Sequence, residues 1–307
     1  MSTETSYLTP PLVKAIYAYV DVVRVWVHVP LTDTDESYLR EHCGSVHVWN
    51  KPMKYQPRWC KRIQLNQPST TALSYLNMVT RGNHLINYVE LALDLIADDA
   101  PGADALHQYL DMHLVQPWHG KQRPWSHVTS SYNSSKRWVR NNNVIYSSRP
   151  SKVTGEVHCC HLERRIATAS AVRAAGITNL ASLIGFDQAA FWEKRLQLRA
   201  IDLSKLGRAA RKTKRRTPWT KTWTTPSGRT MTIDLDAMLG RQIARAAQRP
   251  GPDGNPVREI GCAQEIMDYC KDRWGLDIRR AVIKLDATPL LARTRVIVIC
   301  TNPHLPS

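Results

Sequence analysis

The stretch His84-Leu85-Ile86-Asn87-Tyr88-Val89-Glu90-Leu91-Ala92-Leu93-Asp94-Leu95-Ile96 decides how the chain is read. Val89, Leu91, Leu93 and Leu95 form one face, and Tyr88, Glu90, Ala92, Asp94 and Ile96 form the other. Period-two alternation marks a strand with one buried face. Asp98-Asp99-Ala100-Pro101-Gly102 ends it. If helices cover the aliphatic face, Glu90 and Asp94 project from the open side of the sheet.

Toward the N-terminus, residues 20–29 alternate in the same way, with Val23, Val25, Val27 and Val29 against Val22, Arg24, Trp26 and His28. Residues 61–65 predict a short strand stopped by Gln67-Pro68-Ser69. Ser69 is the N-cap of a helix carrying Ala72, Leu73, Leu76 and Val79. Toward the C-terminus, Leu106, Tyr109, Leu110, His113 and Leu114 make a helical stripe. Residues 115–141 read as a polar connection with a short strand near 128–132. Strands follow at 144–147 and 157–167. From about Thr168 the chain turns helical, with Leu180, Leu183, Ile184, Phe191, Trp192 and Leu198 as apolar contacts.

Two β-α-β passages with added antiparallel strands predict an α+β fold. The sheet is ferredoxin-like or RRM-like and antiparallel, with helices on one face, plus a smaller C-terminal segment. That segment has a turn at Pro226-Ser227-Gly228, a helix through Leu235, Leu239 and Ile243, a Pro/Gly-rich break at 249–256 and a strand near 296–300. Residues 205–221 carry eight Lys/Arg and no acid, which reads as a linker or nucleic-acid arm or, more plainly, as a solvated basic face. The expected division is a domain over 1–204, the basic linker or arm over 205–221 and an accessory domain over 222–307.

The 307 residues include 42 Lys+Arg against 26 Asp+Glu, a net charge of +16 that favours a polyanionic partner over an ordinary small-molecule enzyme. Residues 11–30 are the most apolar early stretch, but Lys14, Asp21 and Arg24 exclude a membrane span or signal peptide there. Seven cysteines, with no CxxC pair, argue against a zinc finger and for buried thiols in a reducing, intracellular compartment. Ten Trp and 11 Tyr stand against 2 Phe, and several Trp sit beside cations, as in Arg58-Trp59-Cys60-Lys61-Arg62 and Lys136-Arg137-Trp138-Val139-Arg140. Rings beside cations suit single-stranded nucleic acid, although core packing accounts for any one Trp.

Three groups of residues could carry chemistry. Glu90 and Asp94 share a strand face but are roughly 13 Å apart along a straight strand, so one would bind metal while the other orients a basic residue. A salt-bridged sheet face is the alternative for both. His161 and Glu163 are i, i+2 neighbours about 7 Å apart, close enough to share a Mn²⁺ or Mg²⁺ ion or to form a structural hydrogen bond. Between Asp111 and Glu156 there is no acid, while Lys121, Arg123, Lys136, Arg137, Arg140, Arg149 and Lys152 are present. Tyr146 in that cationic stretch is placed for phosphate chemistry, provided positive charge or metal favours its phenolate.

At these segments the chain resembles the plasmid and filamentous-phage replication initiation factors, rolling-circle initiators related to the HUH endonucleases. Tyr88-Val89-Glu90-Leu91-Ala92-Leu93-Asp94 is similar to the family's Arg-x-Asp-x-x-x-Asp strand, with Tyr for Arg and Glu for Asp. Tyr132-Asn133-Ser134-Ser135-Lys136 resembles Tyr-x-Gly-x-Arg, Ile145-Tyr146-Ser147-Ser148-Arg149 resembles Ile-Tyr-Asp-Lys, and His161-Leu162-Glu163 resembles Arg-x-Glu. The ordered set covers about residues 20–200.

The resemblance implies an enzyme that nicks and rejoins single-stranded or extruded origin DNA through a 5′-phosphotyrosine. Tyr146 is the favoured nucleophile and Tyr132 its competitor. Arg149 would neutralise developing phosphorane charge. Glu163 would ligate a divalent metal, Mg²⁺ or Mn²⁺, with Glu90 or Asp94 and His161 assisting. Lys136, Arg137, Arg140 and Lys152, with Arg208, Arg211, Lys212, Lys214, Arg215 and Arg216 of the basic arm, would hold DNA through its phosphates. The implied setting is the cytoplasm of a bacterial host, with room for a host helicase as partner and for a homodimer. A non-catalytic nucleic-acid-binding protein on an RRM-like sheet and a conjugative relaxase are the competing readings.

Overall fold

A computed structural model describes residues 9–50, 52, 58–114, 123–127, 130–134, 142–201, 220–224, 230–234 and 282–291. They fall into two units: one takes in Pro11–His107, Pro117–Arg195 and Thr288 onward, the other Gln108–Gln116 and Leu196–Ala287 with the N-terminal residues.

The first unit is an eight-stranded antiparallel sheet. In chain order the elements up to residue 195 are β1 (Ala15–Val27), α1 (Asp33–Glu41), β2 (Cys43–Trp49), β3 (Lys61–Pro68), α2 (Thr70–Val79), β4 (His84–Ile96), α3 (Ala100–His113, assigned to the second unit from Gln108 on), β5 (Arg123–His127), β6 (Ser130–Ser134), β7 (Asn142–Tyr146), β8 (Cys159–Ala167), α4 (Ala169–Ala174), α5 (Leu180–Ile184) and α6 (Gln188–Arg195). The strand order is β2-β3-β1-β4-β8-β7-β6-β5. Strands β1 and β2 are both antiparallel to β3, and β3 and β4 are both antiparallel to β1. The helices α1 and α2 therefore each join two parallel strands across an intervening one, which is the interleaved β-α-β-β-α-β arrangement of a ferredoxin-like fold. Strands β8, β7, β6 and β5 extend that core from β4.

The fold is the expected α+β class, but the first β-α-β passage uses elements the alternation did not indicate. Helix α1 has Leu39 as its buried residue and no apolar stripe. Its ends hold it instead: Thr32 and Asp35 form a capping box, and Asp33, Asp35 and Glu36 sit in the first turn, where the helix dipole favours acids. Helix α2 is capped as expected, Ser69 Oγ accepting from the Ala72 amide at 3.0 Å.

Several boundaries are corrected. The first strand spans Ala15–Val27, beginning earlier and stopping before Val29, and the second continues through Pro68, which sits at its end. In place of one strand near 128–132 there are two, β5 and β6, paired with each other. Leu198 belongs to a strand and not to a helix.

One face of the sheet is aliphatic. Val23, Val25, Val27, Ile63, Leu65, Val89, Leu91, Leu93 and Leu95 are fully buried there. The other face carries polar residues, and two irregularities shape it. Val20 pairs with Leu91 and Val22 with Glu90, so Asp21 is an extra residue, a bulge that shifts its phase toward the polar face. A second shift leaves Asn87 as the extra residue on β4. Glu90 and Asp94 were expected to project from an open sheet; they are buried instead, because the β7–β8 connection folds over this face and packs Val153 on Tyr19 and Ala92. That connection is braced by Ser151, whose hydroxyl accepts from the amides of Val153 (3.3 Å) and Thr154 (3.1 Å).

In the second unit, β9 (Leu198–Ile201) pairs with β12 (Val282–Leu285), and β10 (Thr220–Thr224) pairs with β11 (Thr230–Asp234). The last two residues of the predicted basic arm thus lie in β10. Residues 205–219, the helix expected at 235–243 and the strand expected at 296–300 lie outside the described residues. The four-residue helix α7 (Thr288–Leu291), which belongs to the first unit, closes the described chain. No described helix is long and apolar enough to cross a membrane.

Leu93 is a central, fully buried aliphatic, so Leu93→Ala should lower unfolding free energy by about 2–5 kcal/mol. Met78→Ala, at a side chain 63% exposed, should change it by under about 0.5 kcal/mol. Urea unfolding of the two variants checks the assignment of the faces.

Candidate active site

The polar face is organised by strand register. Strands β4 and β8 pair Glu90 with Arg165, Ala92 with Glu163 and Asp94 with His161. Strands β7 and β8 pair Tyr146 with His161 and Val144 with Glu163. Tyr146, His161, Glu163 and Arg165 therefore share one face with Glu90 and Asp94, and two separate clusters form on it.

In the inner cluster, Asp94 and His161 are completely buried. His161 Nδ1 lies 2.7 Å from Asp94 Oδ1, and its Nε2 lies 2.9 Å from the Arg149 carbonyl oxygen. The Arg149 carbonyl can only accept, and so can Asp94 as a carboxylate, so with both hydrogen bonds made in that form the imidazole carries hydrogen on both nitrogens and is cationic. Burial opposes that charge, but the Asp94 hydrogen bond and carboxylate outweigh it and raise the His161 pKa above its ordinary 6.5. Tyr19 donates to Asp94 Oδ1 at 3.2 Å, Cys159 Sγ lies 3.8 Å from His161 Nδ1, and Asp94 Oδ2 is buried without a hydrogen-bond partner. With both nitrogens engaged, His161 offers no lone pair to a cation shared with Glu163.

The outer cluster joins Asp21, Glu90 and Glu163, whose carboxylate oxygens come within 4.8 Å of one another. The bulge at Asp21 is what adds a third carboxylate. Lys152 Nζ bridges Asp21 Oδ2 (2.5 Å) and Glu163 Oε1 (3.2 Å). Arg165 Nη2 donates to Glu163 Oε2 at 3.2 Å, and its Nε lies 3.2 Å from Glu90 Oε1 without hydrogen-bond alignment. Gln67 donates to Asp21 and Tyr88 donates to Glu90. The Tyr146 hydroxyl donates to Glu163 Oε1 at 2.5 Å, and its ring stacks on His161 with centroids 4.5 Å apart.

Three carboxylates against the two cations that touch them leave the cluster itself net anionic, while Arg149 adds a third cation to the lining of the cavity that opens on it. Burial, only partly offset by Lys152, raises the Asp21 pKa, and burial with the charge of Glu163 raises that of Glu90 despite Arg165. Glu163 is the exception: Lys152, the Tyr146 hydrogen bond and Arg165 overcome its burial and lower its pKa. Burial, then the charge and hydrogen bond of Glu163, raise the Tyr146 phenol well above its ordinary 10. A net-anionic set of hard oxygen donors fits a divalent metal, so Asp21, Glu90 and Glu163 could hold one. The inner Asp94, Cys159 and His161 are also grouped closely enough, but the doubly engaged imidazole makes them a poorer set.

A cavity of about 340 Å³ opens on the outer cluster, lined by Tyr146, Arg149, Lys152, Glu163 and Arg165 at one end and by Ser45 and Asn66 at the other. It brings together five of the residues singled out in the sequence: Tyr146, Arg149, Glu90, Lys152 and Glu163. Asp94 and His161 stand behind Tyr146. Tyr132 lies in β6, its backbone paired with Val144. Lys136, Arg137, Arg140, Arg208, Arg211, Lys212, Lys214, Arg215 and Arg216 lie outside the described residues. Alternation alone missed Asp21 because it assigned residue 21 to the aliphatic phase; an acid in that phase of a β-branched run is itself a sign of a bulge. Lys152 was read as a phosphate contact, whereas here its ammonium sits between two carboxylates.

No family model and no curated protein matches the chain. Among solved structures, a rolling circle replication initiator protein from Geobacillus stearothermophilus is similar at 12% identity and a TM-score of 0.36, over 60% of this chain and 87% of that one.

The His161–Asp94 pair should leave a pH signature. A group whose pKa is raised by folding stabilises fully below its unfolded value, near 6.5, and loses that contribution as pH rises through the folded value. The stability difference between the wild type and His161→Gln should therefore be larger at pH 6 than at pH 9, measured by urea unfolding across that range.

Proposed function

We propose that this protein cleaves and rejoins single-stranded DNA through a covalent link to Tyr146, as a rolling-circle replication initiator does. The observation that carries this reading is the Tyr146 hydroxyl donating to Glu163 at 2.5 Å, within a cavity that also presents Lys152, Arg149 and Arg165. The neutral phenol lies beside a carboxylate that can take its proton, and cations line the place a phosphate would enter.

Stacking on His161 fixes the Tyr146 ring, and the Asp94 carboxylate holds His161 in turn. Attack by Tyr146 Oη on phosphorus forms one P–O bond and breaks the bond to the 3′ oxygen. Glu163 accepts the phenolic proton, which ends on the released 3′-OH, so the carboxylate is regenerated. Arg149 and Arg165 supply positive charge toward the crowded phosphoryl oxygens. A Mg²⁺ or Mn²⁺ ion held by Asp21, Glu90 and Glu163 would supply Lewis-acid polarisation of the phosphate and offset the anionic field that raises the phenol pKa. The favoured ligand set thus has Asp21 in place of His161 and Asp94, with those two as positioning residues. A conjugative relaxase would use the same chemistry.

Incubation with single-stranded DNA and Mn²⁺ should give protein attached to the 5′ end, trapped on a denaturing gel. Tyr146→Phe should abolish the adduct, and Glu163→Gln should slow its formation by about 10²–10⁴-fold, the usual range for lost general-base catalysis. Mn²⁺ should also raise the thermal midpoint of the wild type and not that of Glu163→Gln. An adduct that survives Tyr146→Phe would assign the nucleophile elsewhere, with Tyr132 the first alternative. An adduct that survives every tyrosine substitution would overturn the mechanism.

A further inference from the structure

On the same polar face, strands β2, β3, β1 and β4 carry rows of side chains set by register. The row beside the carboxylates is Ser45, Asn66, Val22 and Glu90; the next is His47, Gln64, Arg24 and Tyr88; the outermost is Trp49, Arg62 and Trp26. Ser45 and Asn66 line the far end of the cavity that holds Tyr146. The outer rows continue that line along the same strands, Trp49 lying four residues, roughly 13 Å, beyond Ser45.

The outer rows hold no carboxylate. Arg62 lies 4.1 Å from the Trp49 ring centroid and 5.8 Å from that of Trp26, and Arg24 lies 4.2 Å from that of Tyr88. Partial burial and the like charge of Arg24 lower the Arg62 pKa, and its Nε is buried without a hydrogen-bond partner. Arg24 Nε donates to the neutral Gln64 Oε1 at 2.6 Å, and neither guanidinium forms an ion pair with a carboxylate of the described residues. Trp49 is 37% exposed and tilts against His47 at 6.0 Å between centroids. Trp26 is held in place: with the Asn87 amide oxygen toward it, the indole N–H donates at 3.0 Å. An exposed ring at Trp49 and an anchored, half-buried one at Trp26, interleaved with cations that have no carboxylate partner among the described residues, match what unpaired bases and their phosphates require.

We infer that Trp49, Arg62 and Trp26 form a stacking and phosphate-binding track for single-stranded nucleic acid, leading along the sheet into the Tyr146 cavity. Its role as the approach to cleavage rests on the reading above; its binding of a strand does not. Trp49 would stack a base and Arg62 would meet the adjoining phosphate.

The test is fluorescence anisotropy of the full chain with a short fluorescein-labelled oligothymidylate, using Tyr146→Phe as the non-cleaving background. Trp49→Ala should weaken binding by about 5- to 150-fold, the fold-change that corresponds to the loss of one stacked base, while Trp49→Phe keeps most of the affinity. Arg62→Gln should reduce the slope of log affinity against log salt by about 0.7, one phosphate on a single strand. Affinity within twofold of the background for a folded Trp49→Ala would overturn the track. If Trp49→Ala does not fold, an unchanged salt slope in Arg62→Gln overturns it. Binding that falls in these variants when no form of the protein makes a 5′ adduct supports the track and removes only the cleavage reading. An oligouridylate arm separates the two sources of this chemistry, and tighter binding of the deoxy strand favours DNA.

Discussion

The antiparallel register between β4 and β8 is the constraint on which the molecule turns. It puts Glu90 opposite Arg165, Ala92 opposite Glu163 and Asp94 opposite His161. A slip of β8 by one residue would move His161, Glu163 and Arg165 to the aliphatic face and leave Glu90 and Asp94 without those partners, and burying an unpaired charge costs several kcal/mol. Four leucine and valine positions on β4 demand burial in the same register. Hydrophobic and electrostatic requirements therefore select one alignment together.

Once that alignment is set, the site follows in layers. His161, cationic between Asp94 and the Arg149 carbonyl, provides a flat surface against which Tyr146 stacks. The tyrosine hydroxyl is thereby aimed at Glu163. The β7–β8 connection then lowers Lys152 onto Asp21 and Glu163 while Val153 closes the apolar gap above Ala92. The excess of carboxylate over cation that remains is a chemical resource. Together with burial, the larger cause, it keeps the phenol protonated as the chain stands, and it is the kind of environment a divalent cation enters favourably.

Much of the outline was legible in the sequence. Strands β4 and β8 announced themselves because residues two apart experience the same side of a sheet, and Ser69 announced α2 by its capping chemistry. Tyr146, Glu90 and Glu163 were read as site candidates from residue type and phase. Helix α1 was not legible, since its ends and Leu39 stabilise it and no amphipathic stripe does. Asp21 was misphased because a bulge is a property of two strands. Lys152 and Asp21 are 131 residues apart, and nothing local relates them.

By itself the sequence determined the alternation of its strands, the capped start of α2, a strong positive balance and a tyrosine in an acid-free, cation-rich stretch. Tertiary structure alone decided that His161 pairs with Asp94 and not with Glu163, that Asp21 completes the carboxylate cluster, and that Arg62 lies between two tryptophans. The physical reason is range. Phase and capping depend on residues within a turn or two of one another, whereas buried charges find their partners only when distant strands meet in one register and desolvate them together.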